Sequence, residues 1–238
     1  MGIKMKKILL FFALPFFMIS CFSEAFSGEE EDAQCGDGTF VCRQDAEGRT
    51  DSYLCHYDED FERENLNLFE KCKEGCNSST GKCRPWKDPD TNITWSSVAD
   101  KRTYEEAIEY CENLEEGGYS DWTLPTINVW RTIVKNCPEL EPDGECPVRD
   151  PDCLDFNCVY FYDGQGKSHD CECETKNEED YYSKLGDSIK ANLWSSSPAS
   201  AFQWVDESSS AWHFFNYKNS VSIYPSLQSS KLNLRCVR

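Results

Sequence analysis

Fifteen cysteines in 238 residues constrain this chain more than any other feature. Thiols at that density are either cross-linked outside the cytoplasm or committed to metal, and each choice dictates a different kind of fold. The N-terminus decides between them. Lys4, Lys6 and Lys7 precede a run from Ile8 to Ile19 that is apolar apart from Pro15. That is the charge order and length of a secretory signal, and it is too short to cross a bilayer. An exported chain meets an oxidising compartment, so disulfides are the expectation.

The run closes on Met18-Ile19-Ser20-Cys21, which has the form of a bacterial lipobox. Residues 1–20 are therefore expected to be a signal peptide, and Cys21 to carry a lipid that anchors the protein at the bacterial cell envelope or surface. Ser23-Glu24-Ala25 also has the form of an ordinary signal-peptidase site, which would give a freely secreted product. Either cut removes Cys21 from the folding pool and leaves 14 thiols, an even number. Residues 21–34, with Glu29-Glu30-Glu31-Asp32 among them, read as a solvated acidic tether. Three of the 24 Lys and Arg residues lie in the signal, so the rest of the chain sets 21 cations against 43 anions, a charge of −22. A surface this acidic excludes nucleic acid, and leaves the lipid anchor as the only expected membrane contact.

Cys35, Cys42, Cys55, Cys72, Cys76 and Cys83 fall in a stretch with few large aliphatic side chains. Such a stretch cannot fold on apolar burial alone, so residues 35–84 are expected to form a small β module held by three disulfides of unassigned pairing. Turn formers separate β-prone pieces such as Thr39-Phe40-Val41 and Ser52-Tyr53-Leu54. Zinc competes on paper, but Cys72-x-x-x-Cys76 has no matching second knuckle.

From residue 85 the pattern changes. Thr103 opens a helix, Glu106 three residues on completes a capping box, Ala107, Tyr110, Cys111 and Leu114 recur on one face, and Gly117-Gly118 ends it. A second helix is expected from Thr126, with Trp130, Ile133, Val134 and Cys137 on one face. Between the two stands Gly118-Tyr119-Ser120-Asp121-Trp122-Thr123-Leu124-Pro125-Thr126. Together with Thr94-Trp95, Tyr110-Cys111, Leu193-Trp194-Ser195-Ser196-Ser197 and the terminal Leu234-Arg235-Cys236-Val237-Arg238, this segment resembles the Lcl C-terminal domain family over about residues 86–238.

The resemblance implies an α+β, C-type-lectin-like domain at 85–238: two helices on a small twisted antiparallel sheet, with the two chain ends close together. It also implies a bridge from the first helix to the last strand, Cys111 to Cys236. Closing so long a loop stabilises by about 2 to 5 kcal/mol on chain-entropy grounds. Asn192–Trp194, Ala211–Tyr217, Val221–Tyr224 and Leu232–Cys236 read as strands. Alternation in the last turns Leu232, Leu234 and Cys236 inward, opposite Lys231, Asn233 and Arg235. Cys137, Cys146, Cys153, Cys158, Cys171 and Cys173 sit in a cysteine-rich insert at 137–175, where three local bridges are expected.

No nucleophile–base pair, zincin helix, phosphate loop or dinucleotide fingerprint is present in the sequence, and no catalytic residue is assigned. His56, His169 and His213 are scattered, and His213 beside Trp212 and Phe214 reads as a packed side chain. A distant fold relative, the formylglycine-generating enzyme, uses reactive cysteines. Here Asp170, Glu172 and Glu174 flank Cys171 and Cys173, and would raise a thiol pKa, which favours a structural role. No cofactor is assigned; lectin-like domains often hold calcium in the long loop, so Glu141, Asp143, Asp150, Asp152 and Asp155 are named as candidate calcium ligands beside the plainer reading of a run of solvated acids. Trp194, Ser196, Trp204, Asp206 and Tyr217 are the candidates for a ligand-facing rim. Some members of the family bind sulfated polysaccharide, but a basic patch here could draw only on Lys218, Lys231, Arg235 and Arg238. A neutral glycan or a surface protein is the expected partner, and a structural envelope component without a ligand is the alternative.

Overall fold

The computed structural model describes residues 40–44, 48–58, 63–70, 72–155, 158, 171–174, 182–185, 191–200, 209–217 and 220–238, with 54–58, 63–69 and 217 described as backbone only. The expected signal peptide and tether, Cys21, Cys35, Trp204 and Asp206 lie outside the described residues, as do the side chains of Cys55 and Tyr217. The described residues belong to one compact unit.

In the cysteine-rich module, β1 (Phe40–Gln44), β2 (Thr50–Asp58) and β3 (Arg63–Glu70) form an antiparallel sheet, and β4 (Cys76–Asn77) pairs with β5 (Lys82–Cys83) in a hairpin. Two of the expected bridges lie among the described residues: Cys42–Cys76 fastens sheet to hairpin and Cys72–Cys83 closes the hairpin's base, with Cα separations of 5.7 and 5.1 Å. The hairpin lies so close to β1 that a Cβ on Gly81 would stand 1.9 Å from the Phe40 carbonyl oxygen. A residue with a side chain cannot occupy that turn, where φ is 67°.

Thr103 opens α1 (Tyr104–Glu112) as its capping box predicts, donating its N–H to the Glu106 carboxylate at 2.9 Å. Ala107 and Cys111 are fully buried on the core side. The helix stops at Glu112, short of Gly117-Gly118, and Leu114 packs on the core from the turn beyond it. The second helix, α2 (Ile127–Arg131), is only five residues long. The expected continuation to Cys137 fails because Ile133, Val134 and Lys135 turn away to pair with residues 182–184: Lys135 donates to the Tyr182 carbonyl at 2.9 Å and Lys184 to that of Ile133 at 2.8 Å. Those ladder bonds supply partners that a longer helix would have provided internally.

Around these helices run β6 (Trp86–Lys87), which pairs with β7 (Thr94–Trp95), and a six-stranded sheet in the order β8 (Ala99–Arg102), β13 (Leu232–Leu234), β10 (Ala191–Ala199), β11 (Ser210–Tyr217), β12 (Ser220–Leu227), β9 (Glu172–Glu174). The sheet was expected to be antiparallel throughout. β13 instead lies parallel to β10, because it keeps the direction of β12, and β12 shares that of β10 across the intervening antiparallel β11. Successive residues face opposite sides. Leu193, Trp212, Phe214 and Ile223 join one buried cluster with Trp95, Trp130 and Val148, while Trp194, Ala211 and Leu234 join another under α1 with Ala107 and Trp122.

Cys111 and Cys236 are bridged, with Cα atoms 5.5 Å apart across 125 residues of sequence. One residue earlier the burial continues. Arg235, expected to face outward, is 5% exposed and pairs with Glu70 of β3, itself 4% exposed. The second Glu70 oxygen accepts the Val98 N–H at 3.1 Å, and Arg235 also donates to the Ser96 carbonyl at 2.6 Å. The burial of Arg235 is the physical consequence of the module's carboxylate lying there: the charge is buried because its partner is buried beside it.

Candidate functional site

The sequence motifs that stand apart along the chain meet in space at the C-terminus. Val237 exchanges backbone bonds with Thr123, both at 2.8 Å, and Arg238 exchanges them with Thr94 at 3.0 and 3.1 Å. Asp121 accepts from the Arg238 guanidinium at 2.6 and 3.1 Å, and that guanidinium lies over the Tyr119 ring, 3.7 Å from its centroid. The Arg238 hydrogen bond holds the Asp121 carboxyl below its ordinary pKa. Gly-Tyr-Ser-Asp-Trp and Arg-Cys-Val-Arg thus clasp one another.

The serine run after Trp194 has the same character. Ser195 donates to the Trp212 carbonyl at 2.7 Å, the Ser197 hydroxyl accepts the Ile127 N–H at 3.0 Å and donates to the Asp150 carboxylate at 2.6 Å, and the Ser196 carbonyl accepts from the Tyr104 hydroxyl at 2.7 Å. Trp194 was expected at a ligand rim. It is fully buried beneath α1, with its indole N–H on the Arg102 carbonyl at 2.8 Å and Tyr104 edge-on to its ring. Ser196 is half-buried and its N–H is committed to the Pro125 carbonyl. Trp194 lies in the cluster that α1 covers, which is why it forms no rim.

His213 is likewise inside, 6% exposed, with Nδ1 3.1 Å from the Ser226 hydroxyl oxygen. Burial pushes its pKa down to about 4, so the imidazole is neutral at physiological pH. Cys171 is joined to Cys146 and Cys173 to Cys137, with Cα separations of 5.0 and 5.8 Å, and a third bridge joins Cys153 to Cys158. Both sulfurs of the Cys171-x-Cys173 pair are thus taken up in bridges.

The insert is organised around a side chain that sequence reasoning passed over. Arg131, at the end of α2, is 1% exposed, and its guanidinium donates to four carbonyls: Leu140 at 2.9 Å, Glu141 at 2.7 Å, Cys146 at 3.2 Å and Val148 at 2.9 Å. Arg149 donates to two more, Pro142 and Gly144, each at 2.9 Å. The turn is tight enough that a Cβ on Gly144 would stand 2.1 Å from the Pro138 carbonyl oxygen. Burial lowers the Arg131 pKa to about 10, with Arg149 adding to the effect, and the group stays charged at neutral pH.

The carboxylates named as candidate calcium ligands, Glu141, Asp143, Asp150, Asp152 and Asp155, do not gather into one ligand group among the described residues. Glu141 contributes its carbonyl to Arg131, Asp150 takes the Ser197 hydroxyl, and Asp152 and Asp155 lie at a groove further along. Among the described residues, one group of three side chains brings potential metal ligands together: Cys137, Glu139 and Cys173. Its two sulfurs are bonded to each other, so the donor set does not fit calcium or any other ion.

The groove, about 530 Å³, runs between the insert and the ends of β10, β11 and β12. Pro151 to Asp155 form one wall, tied to the sheet where Ser200 donates to the Leu154 carbonyl at 3.1 Å and the Trp212 indole N–H donates to the same oxygen at 3.0 Å. Pro198, Ala199, Ser200, Ser210 and Gln228 form the other side, where the Gln228 amide donates to the Ser210 carbonyl at 3.2 Å. Asp150 sets the wall's position from behind, since Asn128 donates to its carbonyl at 2.6 Å and accepts its N–H at 3.0 Å. Apolar faces alternate with two carboxylates, hydroxyls and an amide, and the described lining carries no cation.

Comparison with known proteins agrees with the motifs. No curated protein and no solved structure gives a significant match. The model of the Lcl C-terminal domain family matches residues 86–238, the span that holds both helices, the six-stranded sheet, the Cys111–Cys236 bridge and the C-terminal clasp. The chain therefore belongs to the Lcl C-terminal domain family.

Proposed function

We propose that this is an exported, non-catalytic bacterial surface protein, lipid-anchored through Cys21, that binds a neutral glycan in the groove between the insert and the sheet. Family membership suggests a bacterial surface protein and leaves its ligand open. The observation that carries the choice of ligand is the lining: carboxylates, hydroxyls and an amide pair with sugar hydroxyls, the proline and leucine faces pack on a ring, and a polyanion finds no counter-charge. Arg235 and Arg238, half of the basic patch that a sulfated ligand would need, are engaged with Glu70 and Asp121. We read the fold as C-type-lectin-like, supported by the two helices on one sheet and by Thr94 and Arg238 meeting where the domain begins and ends. The neutral, buried His213 and the oxidised Cys171 and Cys173 support a role without catalysis.

A glycan array probed with the oxidised protein and with Ser200→Trp tests the reading. Ser200 is exposed in the groove, so a tryptophan there fills the site without entering the core. The expected result is capture by neutral glycans that survives high salt and is lost in the variant. Binding confined to sulfated glycans and abolished by salt would overturn it, as would an array with no signal.

A further inference from the structure

We propose that the guanidiniums of Arg131 and Arg149 stand where a divalent cation would otherwise order the insert, so that the groove is built without calcium. A bound calcium ion gathers backbone carbonyls and carboxylates that would otherwise repel one another or seek water. In this chain six carbonyls of residues 140–148 converge instead on two side-chain cations: Leu140, Glu141, Cys146 and Val148 on Arg131, Pro142 and Gly144 on Arg149. The planar fork with its several donors suits this task, and a covalently attached cation is present at any ion concentration. The same solution recurs outside the insert, where the Lys184 ammonium lies 3.4 Å from the buried Asp88 carboxylate and 2.7 Å from that of Asp90. Asp152 and Asp155 line the groove. The inference deepens the glycan reading by stating what that site requires, namely no ion.

Amide hydrogen exchange across residues 137–155 tests it on the unliganded protein, so its outcome is independent of whether any glycan binds. Wild-type exchange is expected to be the same in excess chelator and in millimolar calcium. Arg149→Met, half-buried and removing two carbonyl partners, is expected to accelerate exchange there by roughly tenfold or more while the sheet is unchanged. Arg131→Met should give a larger effect confined to the same segment. Calcium-dependent protection of this segment in the wild type would overturn the proposal, and so would unaltered exchange in Arg149→Met.

Discussion

Removing the Glu70 carboxylate should destabilise the domain from outside the family's boundaries. Glu70 belongs to the cysteine-rich module, yet its two oxygens meet Arg235 of the final segment and the N–H of Val98, and all of this lies out of water. In Glu70→Ala the Arg235 guanidinium keeps one carbonyl bond, to Ser96, and loses its counter-ion while still buried. Breaking one side of a buried pair costs about 3–5 kcal/mol, because the remaining charge stays desolvated. That is a large share of a typical margin of about 5–15 kcal/mol. For a chain of this size it corresponds to a fall in Tm of roughly 6–20 °C. Thermal and urea unfolding of the oxidised protein would measure it, together with Arg235→Met and the double variant. Arg235→Met removes the charge along with its need for a partner, so the double variant should be more stable than additivity predicts by about 1–3 kcal/mol. A Glu70→Ala protein within about 1 kcal/mol of wild type, or strict additivity, would refute the claim that module and domain are joined by a paired, buried charge.

Three other outcomes follow. Replacing Cys111 and Cys236 together by alanine should cost about 4–5 kcal/mol, given the 125-residue separation, and open the segment after Ser230 to limited proteolysis. Stability should fall on acidification before the carboxylates titrate. Unfolded His213 takes up its proton near 6.5 and the folded residue only at about 4, so its contribution is complete above pH 6.5 and is lost as pH falls between those values, by up to about 3 kcal/mol. Unfolding curves between pH 7 and 5 check the slope, which His213→Gln should flatten. Ser200→Trp, finally, should leave Tm unchanged while abolishing glycan capture, which circular dichroism and the array together would establish.

Much of this architecture was legible residue by residue, and the failures share one cause. Thr103 and Glu106 announce a helix start because capping is local chemistry, completed within one turn. The strands at Leu193, Phe214 and Ile223 show in their β-prone composition, and the Cys111–Cys236 pair came from likeness to a family rather than from spacing. Where partners are remote the reading missed. Arg235 alternates as a surface residue should, but the carboxylate that draws it inward is 165 residues away. Val134 continues a helical stripe until Ser183 offers it a ladder. Trp194 has the composition of a binding aromatic and is covered by a helix that sequence alone does not place over it. Arg131 could have been noticed as a cation at the end of an apolar helical face, preceding a loop crowded with prolines and acids. Its role as the loop's centre depends on four carbonyls that no sequence pattern marks.

Covalent cross-links, in place of a larger apolar interior, hold the walls of the groove and the closing strand. Non-reducing peptide mapping of the protein, purified without reductant, tests this most directly. The predicted map contains Cys42–Cys76, Cys72–Cys83, Cys111–Cys236, Cys137–Cys173, Cys146–Cys171 and Cys153–Cys158. A free thiol at Cys111 or Cys236, or different partners for the cysteines of the insert, would contradict it.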